Sequence, residues 1–316
     1  MTTLSDRLVE YLDHRRRFGY RRIGTTAAVL RRFAAFADDF GAESITTELF
    51  LEWRKQFEAP SDVTWGCNLS HVRGFAKWLH CVDPRTEVPA VDLIRRGNRR
   101  PRPYIYTEEE LARIVEHAAQ LPSPRGLNAW TFSTLFGLIA VTGLRLGEAL
   151  GLDEADVNLD EGVLTITRTK NSEFRLLPVA LSTTERLGAY RAVRDRILGN
   201  GVQPFFLNER GRRPSSNYVE AVFARVGMAI GVRNGCPSGK RGRGPRIHDL
   251  RHTMAVRTII GWYRAGLDPN REMIKLTTYL GHKHPSHTYW YMEAVPELMR
   301  LACARAERVT DTWGAS

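Results

Sequence analysis

The chain has 316 residues, 43% of them hydrophobic, a length and composition that exclude a wholly disordered polypeptide and fit about two globular domains. A formal charge of +11, carried far more by arginine than by lysine, suits a polyanionic partner, with nucleic acid first, because guanidinium forks grip phosphate in bidentate fashion. Cys67, Cys81, Cys236 and Cys303 form no C-x-x-C pair, no apolar run reaches membrane-spanning length and residues 1–10 lack a signal-peptide pattern, so a disulfide framework, a membrane anchor and secretion are not expected and a reduced cytoplasmic compartment is.

The first ninety or so residues predict four or five short helices. Leu4, Leu8, Tyr11 and Leu12 recur at helical spacing, as do Val29, Leu30, Phe33, Phe36 and Ala37. Thr46-Thr47-Glu48 opens a third segment carrying Leu49, Phe50, Trp53 and Phe57. A fourth runs from about Ser61 to His80 with Val72, Phe75, Trp78 and Leu79. From Val82 to Pro103 the pattern breaks at Pro84, Pro89, Pro101 and Pro103, which reads as a linker. Arg95, Arg96, Arg99, Arg100 and Arg102 accumulate there with no acidic residue between them, a stretch suited to tracking a phosphate backbone.

Thr107-Glu108-Glu109-Glu110 starts a helix with a capping box, threonine at the N-cap and Glu110 three residues on. A largely apolar helix follows at about Trp130 to Val141, is broken by Thr142-Gly143, and a further one begins at Arg145. Residues 162–179 change to a two-residue period: a strand through Val163 to Thr167, a turn at Thr169-Lys170-Asn171-Ser172, and a second strand from Phe174 to Val179. Helical patterns return at Thr183 to Leu198, Ser216 to Ile230, His248 to Ala265, Arg271 to Leu280 and Pro296 to Arg308. Between Gly231 and Arg246 lies a loop rich in glycine and basic residues, with Lys240, Arg241 and Arg243 as candidate DNA contacts.

Four pieces carry chemistry: Thr142-Gly143-Leu144-Arg145-Leu146-Gly147-Glu148, His248-Asp249-Leu250-Arg251-His252-Thr253, Leu280-Gly281-His282, and Tyr291 nine residues beyond that histidine. His248 and Arg251 share a helix face, and Leu280-Gly281 is a helix stop that puts His282 on the turn after it. Two guanidinium groups match the spread charge of a phosphodiester in transfer. Histidines near pKa 6.5 can hold or move a proton, and a tyrosine hydroxyl, weak at its usual pKa near 10, becomes a usable nucleophile in a cationic pocket.

In this order the four pieces resemble the tyrosine recombinase (phage integrase) family, over most of residues 105–295. The resemblance implies a mainly α fold with a small β-sheet, built as a two-domain C-shaped DNA clamp: a helical, SAM-like core-binding domain at 1–94, a basic linker at 95–106 and a catalytic domain at 107–316. It assigns Arg145 and Arg251 to the scissile phosphate and His248 to proton transfer. It assigns His282 to a hydrogen bond with the phosphate, Tyr291 to attack and Lys170 to protonation of the leaving oxygen, with Glu148 orienting Arg145. The product would be a 3′-phosphotyrosine and a free 5′ hydroxyl, and since the covalent link keeps the bond energy, neither a cofactor nor a metal is needed. The implied partners are a double-stranded recombination site and further copies of the chain in a DNA-bound tetramer, with accessory DNA-bending or co-encoded recombinase proteins. The segment from Pro296 to Arg308 looks like the helix that such proteins dock onto a neighbour, and the run from Thr288 to Leu298 looks more like integrases of transposons or plasmids than like chromosome-dimer resolvases.

Competing readings stay open from sequence. Tyr289 is the rival nucleophile. His248 and His252 are four apart, as in a zinc-binding helix, but the zincin pattern needs glutamate where Asp249 stands, and Arg251 between them would repel a cation. His252, His284 and His287 read as packing or DNA-backbone residues. A type IB topoisomerase uses a similar residue set, a catalytically silent DNA-binding protein would keep the charge without the chemistry, and a metal-dependent nuclease would need a carboxylate cluster that does not stand out.

Overall fold

The computed structural model describes residues 3–20, 24–57, 62–94, 102–167, 174–234 and 244–314, with side chains at 293, 294 and 306–314 left aside. Lys170, Arg95, Arg96, Arg99, Arg100, Lys240, Arg241 and Arg243 lie outside the described residues. The chain forms two compact units, residues 1–100 and 101–316.

Unit one is a bundle of four helices, α1 (Leu4–Arg17), α2 (Gly24–Asp39), α3 (Thr47–Lys55) and α4 (Asp62–His80). Thr3 caps α1 through a capping box with Asp6, and the Thr46 hydroxyl accepts from the Leu49 N–H to start α3. The apolar stripes meet in one core, where Leu30, Phe33, Phe50, Val72 and Phe75 are fully enclosed and Trp53 meets Trp65 edge to face at 5.1 Å. Residues 82–94 are not helical, yet they are not an extended linker. Val88, Leu93 and Ile94 pack back onto the bundle, and the Glu87 N–H donates to Ile45 O at 2.7 Å. Apolar residues scattered among prolines carry no period, so this packing left no pattern in the sequence.

Unit two begins with Tyr106 buried and its N–H donating to the Thr253 hydroxyl. Thr107 then caps α5 (Glu108–Ala119) with the predicted capping box. Helix α6 (Leu127–Thr142) is apolar on all sides because α5, α8 (Leu181–Leu198) and α10 (Ile247–Arg264) surround it. Between α7 (Leu146–Gly151) and α8 lies an antiparallel sheet in the order β1 (Val157–Asn158), β2 (Val163–Ile166), β3 (Arg175–Pro178), with Leu164 paired to Leu177 and Ile166 to Arg175. Helix α9 (Ser216–Ala229) closes this core from the other side, with Val222 and Val226 fully buried.

A second core gathers Val256 and Ile259 from α10, Met273 and Leu280 from α11 (Pro269–Leu280), Tyr291 from α12 (Ser286–Ala294) and Leu298 from α13 (Pro296–Gly314). Helix α12 was absent from the sequence pattern. The C-terminal helix α13 packs on its own unit here: Leu298 is enclosed, Glu297 pairs with Arg264 at 3.1 Å, and Arg305 pairs with Asp268 at 3.0 Å. Among the described residues no helix is long and apolar enough to cross a membrane.

Candidate active site

Two helix stops bring the separate motifs together. Gly143 ends α6 at φ +65°, and a Cβ there would stand 2.9 Å from a methyl of Leu280, so glycine is needed both for the turn and for the approach of α11. Gly281 ends α11 at φ +64°, and a Cβ there would lie 2.7 Å from the Arg175 guanidinium. Between these turns lies Arg251 of α10, 1% exposed. It donates to Gly143 O at 2.5 Å and to Leu280 O at 2.6 Å, and its charge lies near enough to the Tyr291 hydroxyl to lower that group's pKa. Burial first, and then the charge of Arg145, push the Arg251 pKa down to about 10, so it stays protonated at neutral pH.

Arg145 stands at the N-cap of α7 with its side chain 40% exposed. Its guanidinium donates to Glu148 Oε1 at 2.7 Å and to Gly281 O at 3.2 Å, while its backbone N–H donates to Glu148 Oε2. Glu148 is almost wholly enclosed and has a second cation: Arg175 of β3 donates to Oε2 at 2.8 Å and uses its Nε on Tyr279 O. Burial alone would raise the Glu148 pKa, but Arg175 and Arg145 together outweigh it and hold the carboxyl below its ordinary value. One carboxylate therefore fixes two arginines. Glu148→Gln keeps the shape but presents an amide N–H₂ to a guanidinium donor. We expect it to lower unfolding free energy by about 3 kcal/mol, as for a broken buried ion pair. Chemical denaturation measures this, and an unchanged midpoint would contradict it.

His282 sits on the turn after α11, and its Nδ1 lies 2.8 Å from the Thr288 hydroxyl. The Thr277 hydroxyl donates to Met273 O at 2.7 Å, so Thr288, 3.0 Å away, must donate to Thr277 and accept from His282. This chain puts the His282 proton on Nδ1 and leaves Nε2 unprotonated in the neutral ring. His252 of α10 is half-buried, with Nδ1 3.1 Å from Tyr291 Oη and its ring edge-on to Tyr291 at 5.4 Å. His248, one turn earlier, packs edge to face on His252 at 4.6 Å.

All three imidazoles favour the neutral form. Burial pushes His282 down to about 3, helped by Arg251 and Arg145, and His252 down to about 4, helped by Arg246 and Arg251. His248 is exposed on α10, and water there offsets part of its desolvation; its pKa still falls, through enclosure first and then the charges of His252 and Arg251. A histidine neutral in the fold but titrating near 6.5 when unfolded binds more protons in the unfolded state. Stability is therefore present above about pH 6.5 and lost as pH falls toward 4. The melting temperature should drop between pH 7 and pH 5, and His282→Asn should flatten that drop; a flat wild-type profile would refute the assignment.

Tyr291 is 2% exposed and Tyr289 42%. Burial raises the Tyr291 pKa, opposed by Arg251 and Arg145. Thus Arg145, Arg251, His248, His282, Tyr291 and Glu148 of the predicted set lie in one region, and Arg102 is exposed. Two contributors had no sequence signal. Arg175 reaches Glu148 from 27 positions away, and His252, read as a packing or backbone residue, also lies at the Tyr291 hydroxyl. No group of three or more His, Cys, Asp and Glu among the described residues could hold a metal ion.

The sequence profile of the phage integrase family matches residues 105–297. The putative integrase/recombinase y4rB of Sinorhizobium fredii is 37% identical over 313 residues, spanning 98% of each chain. Among solved structures, the XerH site-specific recombinase bound to its palindromic difH substrate superposes with a TM-score of 0.66 at 20% identity, over 90% of this chain and 80% of that one. The Tn1549 transposon integrase in complex with transposon right end DNA gives the same TM-score at 16% identity, over 98% and 99%. At those identities the structural likenesses speak for the fold alone. The family match across the catalytic unit and the full-length identity to y4rB are decisive: this chain belongs to the phage integrase family of tyrosine recombinases, enzymes that transfer DNA strands.

Proposed function

We propose that the chain cuts and rejoins duplex DNA at a specific site through a 3′-phosphotyrosine link to Tyr291, using neither metal nor ATP. The observation that carries this reading is Arg251, whose one guanidinium ties together the turn that bears Arg145 and the turn that bears His282, with its charge felt at the Tyr291 hydroxyl. A phosphate placed against the open face of Arg145 lies in the field of a second guanidinium, since Arg145 and Arg251 are close enough for each charge to act on the other. Such preorganised donors stabilise charge developing on non-bridging oxygens without reorganising. In this reading the bound phosphate's negative charge raises the His282 pKa, so that the ring gains a proton on Nε2 and donates it to a phosphate oxygen; His248 moves protons at its open edge, and Lys170 gives the leaving 5′ oxygen its proton.

The active species is a DNA-bound tetramer exchanging strands between two sites in the cytoplasm. Arg95, Arg96, Arg99, Arg100, Arg102, Lys240, Arg241 and Arg243 contact the phosphate backbone, so affinity falls steeply with salt. The likeness to a transposon integrase favours a mobile element as the setting. Accessory DNA-bending or co-encoded recombinase proteins set the direction.

The test uses nicked duplex fragments from the DNA flanking the gene that encodes this chain, incubated with the protein in EDTA and resolved on a denaturing gel. A covalent protein–DNA adduct is expected, and two adduct-forming sites should exchange strands. Site-specific binding with no adduct would overturn the reading in favour of a silent DNA-binding protein. Adduct and supercoil relaxation without exchange would point to a topoisomerase.

A further inference from the structure

We infer that His252 is a catalytic residue, the group that holds the Tyr291 hydroxyl through its hydrogen and receives the proton as the tyrosine attacks; the inference rests on Tyr291 being the nucleophile. The geometry rests on one hydrogen bond: His252 Nδ1 lies 3.1 Å from Tyr291 Oη, and the charge of Arg251 near that oxygen favours release of its hydrogen. With the phenol as donor, Nδ1 carries the lone pair and the ring proton sits on Nε2. A neutral imidazole is what this enclosed place beside Arg246 and Arg251 favours.

The ring is also held in place. It meets Trp290 at 5.6 Å, Tyr291 at 5.4 Å and His248 at 4.6 Å, each tilted or edge to face, so Nδ1 cannot leave the hydroxyl without breaking three ring contacts. His248, by contrast, packs on His252 rather than on the tyrosine and lies exposed, where it is free to act on the DNA. The two histidines of one helix thus divide the work: His252 serves the nucleophile and His248 faces outward.

The step balances. As Oη bonds to phosphorus, its proton passes to His252 Nδ1, giving an imidazolium, and the bond from phosphorus to the 5′ oxygen breaks. That oxygen takes a proton from a separate acid, for which Lys170 is the proposed source. In religation the 5′ hydroxyl attacks and gives its proton back to the neutral Lys170 amine, the bond from phosphorus to Oη breaks, and the imidazolium returns the proton to Oη. An anionic phosphate beside the ring makes the imidazolium easier to form than in the free chain.

Two measurements test this. The first needs no DNA: nitrogen-15 NMR of histidine-labelled protein should show His252 Nδ1 unprotonated and Nε2 protonated, and the reverse tautomer would overturn the inference. The second uses the nicked fragment whose cleavage position has been read from the wild-type adduct. His252→Phe keeps the ring packing and should bind DNA within about twofold, yet form adduct about 10² to 10³-fold more slowly. Its rate should keep rising with pH where the wild-type rate has levelled. His252→Asn can still accept the hydrogen bond but not the proton, and should fall between the two, which keeps the test usable should the phenylalanine variant misfold. A substrate with sulfur in place of the bridging 5′ oxygen needs no leaving-group acid. It should not rescue His252→Phe, while it should rescue Lys170→Ala. Cleavage by His252→Phe within threefold of wild type, or its rescue by the sulfur substrate, would overturn the inference. Absence of adduct from the wild type would instead strike the tyrosine chemistry itself, leaving the NMR result to stand or fall alone.

Discussion

Tyr291→Phe should form no covalent adduct, a loss of at least about four orders of magnitude, because removing a nucleophile leaves only binding and charge stabilisation at the site. DNA binding should be retained, since the change deletes one oxygen from a side chain that is 2% exposed. The lost hydrogen bond to His252 costs about 1 kcal/mol, too little to unfold a chain of this size. Tyr289→Phe should cleave within about twofold of wild type. The two tyrosines are two positions apart on α12, roughly 200° around a helix, so they face opposite ways. One faces the guanidinium of Arg251, and the other is 42% exposed. The assay is the nicked-fragment adduct gel run beside a binding titration. Adduct from Tyr291→Phe together with none from Tyr289→Phe would reverse the assignment.

Much of this was legible in the sequence, and the parts that were not share a cause. The capping box at Thr107, the apolar α6, the hairpin strands and the two glycine helix stops rest on local rules, and local rules can be read from a few adjacent residues. Helix α12 could not be read that way. Ser-His-Thr-Tyr-Trp-Tyr is poor in strong helix formers and shows no apolar stripe, and it is helical because Thr288 and Tyr291 are buried against α10 and α11. Strand β1 has only two residues and exists through its pairing with β2.

Site contacts divide in the same way. Glu148 lies three residues from Arg145, and that spacing announces the ion pair. Arg175 and His252 act across 27 and 39 positions, where spacing carries no information. The four-residue offset of His248 and His252 also pointed toward a metal-binding helix. The rings stand edge to face rather than converging, and Arg251 lies on the same helix, which is why that reading has no geometric support.

Arg251→Lys tests whether the site needs the shape of the guanidinium or only its charge, and we expect the shape to decide. The fork supplies N–H groups in two directions at once, to Gly143 O and Leu280 O, while its charge acts on the Tyr291 hydroxyl. A lysine ammonium on a flexible stem can reach one carbonyl and leaves the other buried and unpaired, at about 1 to 3 kcal/mol. The burial already disfavours the cation, as the depressed pKa of Arg251 records, and lysine inherits that penalty with fewer hydrogen bonds to offset it. Arg251→Lys should therefore unfold about 2 to 3 kcal/mol earlier. Its adduct formation should fall by about 10² to 10⁴-fold, the range for removing a preorganised donor and displacing the nucleophile beside it. Arg251→Ala removes the repulsion with Arg145 but opens a cavity and strands both carbonyls, so its cleavage should be no better. Adduct kinetics and denaturation of both variants, compared at one pH, separate the effects. Arg251→Lys cleaving within tenfold of wild type would mean that charge alone suffices, and that the tie from this guanidinium to the two turns is scaffolding rather than part of the chemistry.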